Sequence, residues 1–188
     1  MKDLLVGIDI GTTGLKTSFY TVSGVLVERA YREYPLLFPR DGWVEMDPEI
    51  WWDAFCGSLR EIFARGKVTP EKVAAVGITC TNALVLLDAE KKVLCPAIMQ
   101  LDQRASEQAD MLKNEVGEDW VFEKTGNRIS SGSFWGPTLR WLKEYRPDCY
   151  ERTRYFLVPT GFLVMRLTGQ YSMDHSRATG TILYHIHQ

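Results

Sequence analysis

Apolar runs separated by short polar turns occupy the first thirty residues of the chain. Leu4 to Ile10, Leu15 to Thr21 and Val25 to Tyr31 are rich in apolar, β-branched and aromatic residues. The turns between these runs carry glycine, serine and threonine, which are typical of connections between strands. The pattern predicts three consecutive antiparallel strands.

The next segment has a helical period. Pro48 suits the first helical position, and Gly66 suits the end of the helix. The apolar residues between them recur on one helical face, at Trp51, Phe55, Leu59 and Ile62. We therefore expect a helix that packs on the sheet.

Strands and helices alternate through the rest of the chain. Val73 to Thr79 is predicted to be a buried strand, and Ala83 to Asp88 a further strand. Helices are predicted over Gln103 to Val116, Trp135 to Tyr145 and Pro159 to Leu167. Antiparallel strands followed by alternating strands and helices indicate an α/β domain with a mixed sheet. The length of 188 residues suits one such domain, or at most one large domain with an appendage.

Composition excludes several classes of partner. The 22 Lys and Arg residues nearly balance the 24 Asp and Glu residues, so charge favours neither nucleic acid nor an anionic membrane. The four cysteines have no CxxC spacing, which argues against a zinc site and a disulfide framework. No apolar stretch approaches the roughly 18 residues of a spanning helix, and no signal peptide is recognised. We expect a soluble, cytoplasmic protein.

A glycine-bounded turn follows Asp9. The apolar surroundings of Asp9 predict that it is buried, and an unpaired buried carboxylate costs several kcal/mol, so we expect it to have a function. Such a turn, Gly11 to Gly14, can point backbone N–H groups at phosphate, while Thr12 and Thr13 add hydroxyl donors. Asp9 would then hold Mg²⁺ or its waters. The alternative is an ordinary hairpin turn in which Asp9 accepts local hydrogen bonds.

Four stretches together resemble one family. They are "VGIDIGTTGLKTSFY" (6–20), "GWVEMDPEIWWDAF" (42–55), "VGITCTNALVLLDAEKKVLCPAIMQLDQRA" (76–105) and "LVPTGFLVMRLTGQYSMDHSRATGTILY" (157–184). In order and spacing they are similar to the N-terminal domain of the FGGY carbohydrate kinases. The resemblance implies an α/β, actin-like ATPase (ribonuclease H-like) domain, with a mixed sheet flanked by helices, over residues 1–188.

The resemblance also implies a reaction and its cofactors. FGGY kinases use ATP and Mg²⁺ to transfer the γ-phosphoryl group to a hydroxyl of a sugar or polyol. By position, Asp9 resembles their metal-linked aspartate. The residues that resemble the turn facing the β- and γ-phosphates are Gly11, Thr12, Thr13 and Gly14. Those that resemble the border of the sugar pocket are Thr81, Asn82, Asp102, Arg104 and Trp135.

Three of the sugar-border residues have structural alternatives. Asp102 precedes a predicted helix and would serve there as its N-cap. Arg104, in the first helical turn, opposes the helix dipole and would instead pair with a surface acid. Trp135 follows a glycine-rich stretch and is either a wall of the pocket or part of the core.

The chain departs from the commonest patterns of the family near the sugar pocket. The loop Cys80-Thr81-Asn82 has neither the histidine of xylulokinases nor the arginine of glycerol kinases. General similarity favours a pentulose kinase of the xylulokinase type, and the particular sugar stays open.

Part of the family's machinery is not found in the sequence. The catalytic base of these kinases is an aspartate in a Gly-Asp-Asn/Gln-Ala segment, which the 188 residues lack. We expect an N-terminal lobe that is inactive alone, with the absent C-terminal lobe as its partner and homodimer formation as a further hypothesis. The rival hypothesis is a non-catalytic, actin-like or chaperone-like nucleotide-binding module. His185 and His187 are too few to predict a metal site.

Overall fold

The computed structural model describes residues 2–187, which form two compact units. The first unit comprises the described residues up to Leu36 together with Pro48–Thr81, and the second comprises Leu37–Asp47 with the described residues from Asn82 onward. The strands are β1 (Leu4–Ile10), β2 (Gly14–Thr21), β3 (Leu26–Glu33), β4 (Glu45–Met46), β5 (Val73–Cys80), β6 (Ala83–Leu87), β7 (Ala97–Met99) and β8 (Tyr155–Leu157). The helices are α1 (Pro48–Ala64), α2 (Ser106–Val116), α3 (Glu118–Thr125), α4 (Trp135–Tyr145), α5 (Pro147–Arg152), α6 (Pro159–Thr168) and α7 (His175–Thr179), with a 3₁₀ turn at Pro70–Lys72.

The sheet of the first unit has the strand order β3-β2-β1-β5. β1 pairs antiparallel with β2, and β2 pairs antiparallel with β3, so the predicted run of three antiparallel strands is confirmed. β5 pairs with β1 in parallel, which makes the sheet mixed, as predicted. This pairing places the ends of β1 and β5 side by side at the turn that follows Asp9.

Helix α1 packs on one face of this sheet, as its period predicts. Trp51, Phe55 and Ile62 are buried on the helix. Phe63 meets Phe19 of β2 edge to face, with ring centroids 5.7 Å apart. A buried hydrogen bond of 2.6 Å also joins the Thr17 and Ser58 hydroxyls, so the polar groups between sheet and helix satisfy each other.

The prediction that Val73 to Thr79 is a buried strand is wrong. β5 forms at the predicted position, but most of its residues are exposed, and Val76 retains 47% of its surface. The reason is its place in the sheet, because β5 is an edge strand within residues 2–187 and has a paired neighbour on one side alone. An apolar run therefore predicted the strand correctly but not its burial.

The sheet of the second unit is antiparallel, in the order β4-β7-β6-β8. β6 is buried at every position, as its continuous apolar run suggests. Helix α4 has the predicted bounds, and α6 is followed by Gly169 as its C-terminal cap, whose φ of 73° suits glycine. The pattern missed β4, β7 and β8, since strands of two or three residues carry almost no periodicity.

Among the residues described, none of the helices combines the length and the apolar character that crossing a bilayer requires.

Candidate functional site

The turn between β1 and β2 is closed by glycine at both ends. The Gly11 N–H donates to the Gly14 carbonyl at 2.9 Å. A Cβ atom on Gly11 would lie 2.8 Å from the Gly14 carbonyl oxygen, and one on Gly14 would overlap the Tyr31 ring. The backbone contact therefore requires glycine at position 11, whereas at position 14 the exposed Tyr31 side chain would have to move.

Tyr34, the residue after β3, is hydrogen-bonded to the turn between β1 and β2. Its hydroxyl donates to the Gly11 carbonyl at 2.8 Å, and its N–H donates to the Thr13 carbonyl at 3.1 Å. Burial, with 6% of its surface exposed, raises the pKa of Tyr34 above its usual value, so the hydroxyl remains a donor at neutral pH. Sequence reasoning missed this residue, because a tyrosine in a proline-bearing loop carries no distinctive signal.

The two threonines of the turn offer polar groups next to the end of β5. The Thr12 and Thr81 hydroxyls lie 3.2 Å apart, and the Thr81 N–H continues the strand pairing by donating to the Ile10 carbonyl at 2.7 Å. Within residues 2–187, neither the Thr12 N–H nor the Thr13 N–H donates a hydrogen bond. Backbone donors and hydroxyls at one turn are the groups that bind phosphate oxygens.

Asp9 is not buried, contrary to the expectation from its apolar neighbours. Alternate residues of β1 face opposite sides of the sheet, and Asp9 lies on the side away from buried Ile8 and Ile10. Its side chain is 49% exposed and lies 3.8 Å from the Lys16 ammonium. A solvated pair of this kind contributes little to stability. Asp9 therefore has no burial cost that a function would have to explain. Its exposed carboxylate is instead accessible to a ligand.

The surroundings of Asp9 fit a Mg²⁺ ion that is carried by a nucleotide better than a metal ion that is held by protein ligands alone. In the described part of the chain, no group of three or more His, Cys, Asp or Glu side chains could hold a metal ion. Mg²⁺ usually keeps several waters and binds through one or two carboxylates together with substrate phosphates. One accessible carboxylate beside a phosphate-type turn supplies that kind of ligand.

Asp102 is the more deeply buried of two buried aspartates in the second unit, the other being Asp88. It is 1% exposed, and its two oxygens accept hydrogen bonds from the Val44 N–H at 2.7 Å and from the Arg104 N–H at 2.9 Å. Ala105, rather than Asp102, occupies the N-cap position of α2, so the N-cap alternative is wrong. Asp102 instead closes the turn before the helix.

Arg104 joins Asp102 in a buried ionic cluster. Its guanidinium donates to Asp102 Oδ1 and Oδ2 at 2.9 and 2.8 Å, and to Glu45 Oε1 at 2.8 Å. It also lies over the Trp43 ring, 3.8 Å from the ring centroid. The arginine side chain is 3% exposed, so the alternative of pairing with a surface acid is replaced by pairing with acids that are themselves largely covered.

The glycine-rich stretch before α4 packs directly on the segment that carries Asp102. Ser131 donates to the Asp102 carbonyl at 3.1 Å. Gly132 has a φ of 69°, and a Cβ there would lie 2.5 Å from the Gln100 carbonyl oxygen. The Asn82 side-chain amide donates to the Ser133 carbonyl at 2.6 Å, and the Asn82 backbone carbonyl accepts from the Gln100 N–H at 3.1 Å. Three separate stretches of sequence thus meet around Asn82.

The predicted site residues fall into two groups. The first unit holds Asp9, Gly11, Thr12, Thr13, Gly14 and Thr81, and the second holds Asn82, Asp102, Arg104 and Trp135. The residues of the turn between β1 and β2 lie together, with Thr81 against Thr12. Trp135, the first residue of α4, is 3% exposed, so most of its ring is covered by the protein.

Comparison of the sequence with known protein families identifies the family of the chain. The pattern that defines the FGGY family of carbohydrate kinases, N-terminal domain, matches residues 4–188. The chain belongs to this family.

Curated relatives of this FGGY chain include kinases for two kinds of substrate. It is 34% identical over 183 residues to a xylulose kinase of Staphylococcus xylosus, covering 97% of this chain and 37% of that protein. It is 31% identical over 191 residues to a glycerol kinase of Thermococcus gammatolerans, covering 99% of this chain and 38% of that protein. The chain therefore spans less than two-fifths of the length of the relatives that it matches.

Solved structures of similar proteins confirm the fold. A xylulose kinase from Rhodospirillum rubrum superimposes with a TM-score of 0.91 and 27% identity, covering 98% of this chain and 38% of that chain. A xylulose kinase from Brucella ovis gives a TM-score of 0.88 and 29% identity, covering 96% of this chain and 38% of that chain. The FGGY chain has the predicted α/β, actin-like ATPase fold.

Proposed function

We propose that this FGGY chain is the N-terminal lobe of an ATP-dependent sugar kinase that phosphorylates a hydroxyl of a pentulose or related sugar or polyol. The observation that carries the proposal is the glycine-closed turn, with accessible Asp9 before it and the donors of Thr12 and Thr13 within it. The named activity of the xylulose kinases among its relatives supports a xylulokinase-like substrate.

The turn from Gly11 to Gly14, here called the phosphate turn, would bind the nucleotide through its backbone and hydroxyl donors. The N–H and hydroxyl groups of Thr12 and Thr13 would donate to oxygens of the β- and γ-phosphates. Asp9 would hold Mg²⁺ or its waters, and the ion supplies positive charge that offsets the charge of the triphosphate. Tyr34 would keep the turn closed around this site, because it binds the carbonyls of Gly11 and Thr13.

The residues assigned to the sugar side would divide into contacting and supporting groups. Thr81 and Asn82 follow β5 and would offer their polar side chains to substrate hydroxyls. Asp102 and Arg104 would border the sugar site while their ion pair holds the shape of the segment. Trp135, at the start of α4, would close the same border with the part of its ring that is not covered.

The reaction also needs groups outside these residues. A base must accept the proton of the sugar hydroxyl, and the family's Gly-Asp-Asn/Gln-Ala segment is not found in the sequence. We propose that the chain alone has no turnover and that the second lobe of a complete kinase supplies the base. The free thiols of Cys56, Cys80, Cys95 and Cys149 fit a cytoplasmic enzyme.

Calorimetric titration with ATP tests the nucleotide site. We expect Mg·ATP to bind the chain and Asp9→Asn to weaken that binding about tenfold, since the loss of one charged interaction is worth about 1.4 kcal/mol. In excess chelator, the variant should lose this disadvantage and bind ATP at least as well as the original chain, because without the metal the Asp9 carboxylate only repels the triphosphate. Asp53→Asn, an exposed change on α1, is the matched control and should alter neither affinity.

Sugar binding by the same chain distinguishes a sugar-kinase lobe from a non-catalytic nucleotide-binding module. Saturation-transfer NMR with a panel of pentuloses and polyols should show binding of at least one of them if the chain is a sugar-kinase lobe. ATP binding without any sugar contact would favour the non-catalytic module. Sugar-dependent ADP release by the purified chain, abolished by Asp9→Asn, would contradict the proposed need for a second lobe.

The open edge of β5 supports a proposal about association. Val76 and the outer edge of β5, which pairs with no strand among residues 2–187, present apolar surface and backbone hydrogen-bonding groups, which favour pairing with another chain. We expect the chain alone to form a homodimer at high concentration, and Val76→Lys to shift the equilibrium towards monomer. Sedimentation velocity over a concentration series measures this, and a monomer at every concentration would contradict it.

A further inference from the structure

Two cysteines far apart in sequence lie in contact within the second unit. Cys95, in the connection between β6 and β7, has its Sγ 3.7 Å from the Sγ of Cys149 in α5. Both are free thiols, Cys149 is buried, and Cys95 is partly exposed. The kinase chemistry proposed above uses neither residue, so the pair is unexplained by that function.

The surroundings of the pair favour the thiolate form of one cysteine. The hydrogen bond between the two thiols, helped by the positive charges of Arg146 and Arg152, lowers the pKa of Cys149 to about 7. The same contact raises the pKa of Cys95, and burial and the negative charge of Glu45 act in the same direction. Arg152 also faces Asp88, with 3.8 Å between the charged groups, so part of its charge is shared.

This difference in pKa between the two thiols favours Cys149 as the attacking thiolate and Cys95 as the resolving thiol. A thiolate is the nucleophile in cysteine oxidation, and its fraction at neutral pH sets which cysteine reacts first. A second thiol in contact can then complete the reaction before further oxidation occurs. The two sulfurs must approach each other by about 1.7 Å to reach the S–S bonding distance of about 2.05 Å.

We propose that Cys95 and Cys149 form a redox modification site that closes to an intramolecular disulfide on exposure to hydrogen peroxide. The Cys149 thiolate attacks one peroxide oxygen, the O–O bond breaks, and after protonation water leaves, giving a sulfenic acid at Cys149. The Cys95 sulfur then attacks the Cys149 sulfur, the S–O bond breaks, and a second water leaves as Cys95 gives up its proton. Two thiols are oxidised by two electrons, and one peroxide is reduced to two waters.

Closure would link two parts of the second unit that are connected in sequence to segments of the candidate sugar border. The Cys95 connection leads into β7, which is followed by the segment carrying Asp102, and Cys149 lies on the helix after α4. The bridge would close a loop of more than fifty residues and so restrict the unfolded chain. The oxidised protein should therefore unfold at a temperature several degrees higher than the reduced protein.

Intact-mass spectrometry and non-reducing peptide analysis test the site on the 188-residue chain. Treatment with a small excess of peroxide at pH 8 should remove about 2 Da and yield a peptide that links Cys95 to Cys149. Dithiothreitol should restore the original mass. The rate of closure should rise with pH and level off at a lower pH than for an ordinary cysteine, because the lowered pKa of Cys149 lets its thiolate form earlier.

Single serine variants decide whether the pair acts as a unit. Cys95→Ser and Cys149→Ser should each abolish the loss of 2 Da, and Cys95→Ser should instead accumulate sulfenic or higher acids at Cys149. Cys56→Ser is the matched control and should form the bridge at the original rate. Oxidation at Cys56 before Cys149, or acids at both cysteines without a linked peptide in the original chain, would overturn the proposal.

Discussion

Replacing Arg104 with methionine is expected to lower the free energy of unfolding by about 3–5 kcal/mol, as when one partner of a buried ion pair is removed. The variant leaves the carboxylate of Asp102, which is 1% exposed, without its positive partner, and Glu45 loses the same partner. Contact of the guanidinium with the Trp43 ring is lost as well. Urea unfolding followed by tryptophan fluorescence measures the change.

Arg140 offers a matched control for Arg104. It also pairs with two carboxylates, those of Glu115 and Glu144, but at the surface of the chain. Arg140→Met should cause a much smaller change, since solvent screens exposed pairs. The double variant Asp102→Asn/Arg104→Met should be more stable than Arg104→Met, because it removes the unpaired buried charge. Equal effects at Arg104 and Arg140 would contradict the assignment of a buried cluster.

Gly132→Ala is expected to destabilise the second unit by about 2–4 kcal/mol, from a strained backbone and a clash added together. Gly132 has a φ of 69°, which side-chain-bearing residues rarely adopt. Its added Cβ would also meet the Gln100 carbonyl oxygen at 2.5 Å and the Asp102 nitrogen at 3.1 Å. The glycine-rich stretch would therefore separate from the segment that carries Asp102, with a lower urea midpoint.

Gly169→Ala separates the two contributions. Gly169 has nearly the same φ, 73°, but an added Cβ there has no neighbour within 4 Å. It should show the backbone strain alone, about 1 kcal/mol. The difference between the two variants measures the close approach, and equal losses would show that the contact with Gln100 and Asp102 is unimportant. In the proposed kinase, Gly132→Ala should also weaken sugar binding, whereas Gly169→Ala should not.

The site could be predicted from sequence where one local stretch contains the whole motif. The turn from Gly11 to Gly14 is such a case, because its glycines and threonines are adjacent in the chain. Tyr34 could not be found in this way, since its hydrogen bonds to Gly11 and Thr13 cross from another strand connection. The contact between Cys95 and Cys149 was equally invisible, because no spacing rule joins residues 54 positions apart.

Sequence patterns alone determined the order and most bounds of the long strands and helices, because their apolar periods and glycine or proline ends are local properties. They also determined the family, through motifs spread over the whole chain. Only the tertiary structure decided which charges are buried. Asp9 follows an apolar run yet faces solvent, and Asp102 follows a short strand yet is enclosed with Arg104. Burial depends on which elements pack over a residue, and those elements come from distant parts of the chain.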